Sequence, residues 1–231
     1  FMEKPEILYE DIQILVCVKP SGFPVQTRNA GTMDLEHYLK NHLLRQTAPT
    51  PQKGIRRPPY LAIIHRLDQP VRGILVFAKT PAAAQKLNKQ MQNGEFTKEY
   101  EALVCGSLPA VSGTLVNYLI KDGTTNTSRI CAKDTPGAKR AELSYKVLST
   151  NPEQNLSVVR IQLKTGRHHQ IRVQMAGAGA PLWGDNKYNS DFQFQKMYTP
   201  IGLCACHLKF THPENGQTMS YKIPCNWTQF Q

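Results

Sequence analysis

The stretch Ile63 to Thr80, IIHRLDQPVRGILVFAKT, decides how this chain is read. Two apolar runs, Ile63-Ile64 and Ile74 to Ala78, flank a polar and charged middle that ends at Gly73. That pattern predicts strand, tight loop and strand, with Arg66 and Asp68 projecting from the loop. A carboxylate set beside buried strands, with arginines near it, is a candidate nucleophile rather than an ordinary surface acid.

Downstream of this stretch, Thr80-Pro81 predicts a helix start, the hydroxyl as cap and proline at the first helical position. Ala84, Leu87 and Met91 follow at helical spacing, and Gly94 ends the run. Lys98-Glu99-Tyr100 then opens an alternating strand in which Tyr100, Ala102 and Val104 share a face. Upstream, Ile12 to Val18 predicts a strand, and Lys19-Pro20-Ser21-Gly22 a turn. Lys19 fits a phosphate or active-site contact and equally an exposed loop lysine. Thr32 is placed to cap a helix from Met33 to about Leu44, with Asp34 in its first turn. Leu35, Leu39 and Leu43 form its core-facing stripe.

Arg45 to Pro59 is a long proline-rich connection carrying Arg45, Lys53, Arg56 and Arg57. Loops of this length tend to be functional. Its cations suit an RNA backbone, with a solvated loop as the alternative. Strands are predicted at Thr114–Leu119, Ala141–Leu148 and Leu156–Lys164. The polar link from Lys121 to Arg140 carries Arg129, Lys133, Lys139 and Arg140. In Leu163 to Asn189 (LKTGRHHQIRVQMAGAGAPLWGDNKYN), Thr165 and Gly166 suit a helix start. Helical spacing then puts His169 and Arg172 on one face. Leu203 to Phe210 and Met219 to Pro224 close the chain as strands.

Composition bounds the answer. The chain has 231 residues, enough for a substantial core, and a net charge of +11 with pI near 9.4. That balance points to a polyanionic partner, RNA or DNA before membrane. No apolar run approaches the ~20 residues needed to span a bilayer. No signal-peptide pattern stands at the start, and Phe1 carries little meaning there. The six cysteines form no CxxC pair, which favours a reducing compartment, and a cytoplasmic location is expected. Cys204-Ala-Cys206-His207 is one cluster without a second, and the adjacent histidines are a common feature, so no metal is expected.

HRLD followed five positions after its aspartate by Gly, an aliphatic run and Ala-Lys-Thr resembles the catalytic motif of the RluA-type pseudouridine synthases. YEDIQILVCVKPSGFPV is similar to that family's opening segment, and Lys98-Glu99-Tyr100 to its second motif. TGR-x-HQ-hydrophobic-R, followed by G-x-P-h-x-GD-x-x-Y with h hydrophobic, resembles its third, and the strand from Leu203 its last. The resemblance runs from about Tyr9 to Pro224. It implies a single α/β (α+β) catalytic domain over residues 1–231, a long mixed, mostly antiparallel sheet with flanking helices and a central cleft. No S4-type RNA-binding extension is expected before Tyr9.

The resemblance also implies isomerisation of uridine to pseudouridine in ribosomal or transfer RNA, without a cofactor. Asp68 would act at C1′ as nucleophile or assist a glycal route. Arg172 would hold Asp68 charged and aimed, and Tyr100 would contact the flipped base. Arg66 would occupy the vacated space, and Leu203 would pack against the reacting uridine. Arg72, Lys19, Arg56, Arg57, Arg129, Arg167 and His169 complete the expected RNA contacts. Oligomeric state stays open, with a monomer favoured. Four positions depart from the family pattern: Val71-Arg72 replaces a small hydroxylated pair, and Gln174 and Cys204 stand where histidine is common. An RNA-binding protein without catalysis and a nucleoside or glycoside hydrolase are the competing readings. The second of these lacks a matching second carboxylate.

Overall fold

The apolar runs become the central strands of two compact units in the computed structural model, which describes residues 3–27, 29, 31–46, 58–195 and 199–227. The first unit comprises Phe1–Phe96 and Leu208–Lys222, the second Thr97–His207 and Ile223–Gln231.

In the first unit, β1 (Glu6–Glu10) pairs antiparallel with β2 (Ile14–Lys19), whose six residues are all buried. The predicted strand began at Ile12. It starts two residues later because Asp11 Oδ1 accepts the N–H groups of Gln13 and Ile14, both at 2.8 Å, and turns the chain there. Ile12 is left 73% exposed in that turn. The helix α1 runs over Leu35–Gln46 and buries Leu35, Leu39 and Leu43 as expected, each burial contributing about 1.5–3 kcal/mol. Its cap differs from the expected Thr32. Asp34 accepts the His37 N–H at 2.9 Å and, with its other oxygen, that of Thr27 at 2.9 Å.

Within the HRLD stretch, β3 (Ala62–Ile63) and β4 (Arg72–Ala78) form the predicted strand–loop–strand. They pair antiparallel, Ile63 opposite Phe77, while the other edge of β4 takes β2, from Ile14 opposite Ala78 to Lys19 opposite Gly73. The helix α2 (Pro81–Gln92) begins as its sequence requires: Thr80 Oγ1 accepts the Ala83 N–H at 3.1 Å, and Pro81 takes the first turn.

The second unit is built on β5 (Thr97–Cys105), β6 (Ser112–Asp122), β7 (Thr127–Cys131), β8 (Lys139–Asn151) and β9 (Leu156–Leu163). Their spatial order is β5-β9-β8-β6-β7, antiparallel throughout. The basic link from Lys121 to Arg140 thus contains a strand its polar composition concealed, β7, which hairpins back on β6. The helix α3 (Gln170–Gly177) lays Val173 against Leu119 and Ala141. Two further strands close the chain. The first, β10 (Leu203–Thr211), passes from the second unit into the first, where β11 (Thr218–Lys222) pairs with it. Among the described residues the fold is α/β, with eleven strands and three α-helices.

Candidate active site

Asp68 stands half-buried at the corner of a turn in the first unit, closed by the Val71 N–H on the Asp68 carbonyl at 3.0 Å. The Lys19-Pro20-Ser21-Gly22 segment grips this turn from below. Lys19 Nζ donates to the carbonyls of Gln69 (2.9 Å), Pro20 (2.9 Å) and Phe23 (2.7 Å). Ser21 Oγ donates to the Pro70 carbonyl at 2.6 Å, and Gln69 Nε2 to that of Gly22 at 3.1 Å. An ammonium has three protons, and here all three are committed. Lys19 is 0% exposed. That burial takes it out of the set expected to touch RNA phosphates and makes it the support of the Asp68 turn. Burial pulls its pKa down to about 7, against the opposing charges of Asp68 and Cys17.

Arg66 extends from the same loop into solvent, where its Nη2 donates to Gln26 Oε1 at 3.1 Å. Arg72 opens β4, half-buried. The Val71-Arg72 departure leaves the turn intact, because Val71 is 2% exposed and its N–H closes the turn.

A second centre lies in the second unit, around Arg172 on α3. Its Nε and Nη2 meet Asp185 Oδ2 and Oδ1, each at 2.7 Å, in a fork-to-fork pair. The side chains are 3% and 0% exposed. Asp185 also accepts the backbone N–H groups of Lys187 (2.9 Å) and Tyr188 (3.2 Å), so its charge is fully solvated by protein. Gly184 delivers Asp185 to this place. It has φ +70°, and a Cβ there would lie 2.3 Å from the Pro200 carbonyl oxygen, so only glycine fits.

Tyr188 carries the arrangement outward. The Arg172 guanidinium carbon lies 5.2 Å from its ring centroid. Its hydroxyl accepts the Ser128 N–H at 2.7 Å and meets His169 Nδ1 at 2.8 Å. His169 lies ahead of α3 in the left-handed region (φ 53°), so the expected helical spacing from His169 to Arg172 does not hold. It is 7% exposed. Its pKa is pushed down to about 2, by burial first and then by the charges of Arg172, His168, Lys187 and Lys121. Buried this far and bonded to Tyr188, His169 offers little surface to an RNA.

Gln170 organises the Thr165-Gly166-Arg167 loop: its Oε1 accepts from Thr165 Oγ1 (2.8 Å) and the Arg167 N–H (2.9 Å), while Nε2 donates to the Glu142 carbonyl at 3.0 Å. Arg167 itself is exposed, with Nε on the Arg140 carbonyl at 2.9 Å. Arg129 is exposed on β7. Tyr100 is 7% exposed in β5, on the buried face with Ala102 and Val104. Two residues before it, Lys98 has its pKa lowered by burial. Leu203 is 5% exposed at the start of β10. Arg56 and Arg57 lie outside the described residues. Among the described residues, no group of three or more His, Cys, Asp or Glu is arranged to hold a metal ion.

Asp185, Tyr188, Ser21 and Gln170 were not singled out from sequence. Asp185 and Tyr188 fall inside the G-x-P-h-x-GD-x-x-Y run, which was the one available signal for them.

Comparison with known proteins agrees with these motifs. The family described as RNA pseudouridylate synthase matches residues 13–177. The ribosomal large subunit pseudouridine synthase D of Vibrio cholerae is 34% identical over 229 residues, 94% of this chain and 66% of that protein. The ribosomal large subunit pseudouridine synthase C of Salmonella typhimurium is 34% identical over 225 residues, with the same 94% and 66% coverage. This chain therefore spans just under two thirds of the length of these relatives. In fold, it is similar to human RNA pseudouridylate synthase domain containing 4. The TM-score is 0.74 at 21% identity, covering 96% of this chain and 88% of the other.

Proposed function

This chain belongs to the RNA pseudouridylate synthase family, and on that premise we propose that it isomerises uridine to pseudouridine in RNA. The observation that carries the reading is the built turn presenting Asp68: a half-exposed carboxylate whose next two carbonyls are pinned by Lys19 and Ser21. A turn fixed at this many points positions a reacting group and does not merely connect two strands.

In this reading the target uridine leaves its stack, at a cost of a few kcal/mol, because its glycosidic bond is inaccessible in a helix. Asp68 acts on the ribose, as nucleophile at C1′ or toward a glycal. The N1–C1′ bond breaks, uracil turns, and C5 joins C1′, releasing the Asp68 carboxylate on the first route or with return of the C2′ proton on the second. The C5 proton departs, and N1 ends protonated. Arg172 supplies the counter-charge to Asp68, and its own orientation is set by Asp185. Tyr100 contacts the base, and Leu203 excludes water from the reacting face. Arg66 enters the space the uridine vacates and reaches the adjoining phosphate, and Arg72, Arg129 and Arg167 meet the RNA backbone, consistent with the net charge of +11. Both units act as one catalytic domain, monomeric and cytoplasmic, on ribosomal RNA, the substrate class in the relatives' names.

Incubating the protein with large-subunit ribosomal RNA and digesting the product to nucleosides tests this. Pseudouridine in the digest is the expected result. Free uracil would mean hydrolysis instead, and unaltered uridine would overturn the proposal.

A further inference from the structure

On the first unit a cleft of about 410 Å³ opens between the loop after Phe23 and the HRLD loop. Its volume is in the range of small-ligand sites, about 300–1,000 Å³. Leu67 and Gln69, the two chain neighbours of Asp68, are among the lining residues, so an occupant lies beside the proposed reaction centre.

The lining combines three kinds of group. Val25 and Leu67, 4% and 8% exposed, give an apolar floor. Gln26, Thr27 and Asn29 give amides and a hydroxyl, and Arg66 a guanidinium. Among the described residues no acidic side chain lines the cleft, so an anion meets no opposing carboxylate from them. The polar groups are also preset. Gln26 accepts Arg66 Nη2 with its oxygen at 3.1 Å and donates its nitrogen to Glu36 at 2.9 Å, which fixes the amide's direction and steadies the guanidinium. Thr27 Oγ1 accepts the Asn29 N–H at 3.1 Å, holding that rim residue in a local turn.

An apolar floor, an amide-rich rim and one guanidinium match the parts of a nucleotide: a flat face, a hydrogen-bonding edge and a phosphate. Amide side chains read the edges of unstacked bases, and a planar guanidinium suits phosphate oxygens. We infer that this cleft seats a nucleotide flanking the target uridine, its base edge on Gln26, Thr27 and Asn29 and its phosphate on Arg66. The cleft then supplies sequence selection beside the reacting base. The inference rests on Asp68 marking the reaction centre.

The test is a pool of RNA hairpins with one loop uridine and random bases on either side. The pool is treated with wild type, Gln26→Ala and Asn29→Ala, and the pseudouridines formed are located by sequencing. Wild type is expected to favour one base at one flanking position by about tenfold. The variants are expected to lose that preference, with KM for the favoured RNA rising about tenfold. No preference in wild type, or the same preference in the variants, would overturn the inference while leaving the isomerase reading in place. Should wild type form no pseudouridine, that reading fails, and photocrosslinking judges the cleft separately. With 4-thiouridine beside the loop uridine, crosslinks to the peptide holding Gln26 and Asn29 support it, and crosslinks confined to other peptides refute it.

Discussion

Asp185 holds Arg172 through two N–H···O bonds of 2.7 Å, with both side chains withdrawn from water. Desolvating two charges is costly, and removing one member of a buried, doubly bonded ion pair typically costs about 3–5 kcal/mol. Asp185→Ala should therefore lower the unfolding free energy by about that amount. Arg172→Met with Asp185→Leu should recover much of this stability, since an apolar pair strands no charge, yet leave RNA turnover abolished. Chemical denaturation and a turnover assay on the two variants check both halves. Turnover restored in the double variant would show that Arg172 only supports the fold.

Tyr188→Phe removes a hydroxyl that satisfies both the Ser128 N–H and His169 Nδ1. Leaving these buried groups unmatched should cost about 1–3 kcal/mol in urea unfolding. A change indistinguishable from zero would show that other groups replace the hydroxyl.

Lys19 makes stability depend on pH in a definite direction. In the unfolded chain a lysine keeps its proton up to about 10.5, whereas native Lys19 releases it near 7. Between those values the unfolded chain binds more protons, so the native state gains stability as pH rises. The difference in unfolding free energy, wild type minus Lys19→Met, should climb between about pH 7 and about pH 10.5. A flat difference would place the native pKa back in the ordinary lysine range.

Arg72 opens β4, four residues after Asp68 in sequence. If it contacts a phosphate, Arg72→Ala should weaken RNA binding and reduce the slope of log K against log salt by about 1. An unchanged slope would remove Arg72 from the RNA interface.

Local patterns in this chain were legible where the chemistry is local. Thr80-Pro81 announced α2, and the Leu35, Leu39, Leu43 stripe announced the buried face of α1, since capping and periodicity involve neighbours only. Ile12 misled because apolar character alone does not reveal that Asp11 turns the chain there. The strand β7 was hidden because a short edge strand of small polar residues and one exposed arginine has the composition of a loop.

The site divides the same way. The loop that carries Asp68 was legible as a charged stretch between apolar runs. The residues that position it and Arg172 were not, because their roles depend on burial and on partners distant in sequence. Lys19 read as a phosphate or active-site contact or an exposed loop lysine, and its partner Gln69 is fifty residues away. His169 read as an RNA contact, and its burial, with Tyr188 on its ring, depends on the fold.

The central claim is that Asp68 performs the isomerisation, and the most direct measurement is tritium release from RNA labelled at C5 of uridine. Each pseudouridine formed frees one C5 hydrogen to solvent. Wild type should release tritium, and Asp68→Asn should release none while still binding the RNA by gel shift. Release by Asp68→Asn at the wild-type rate would contradict the account.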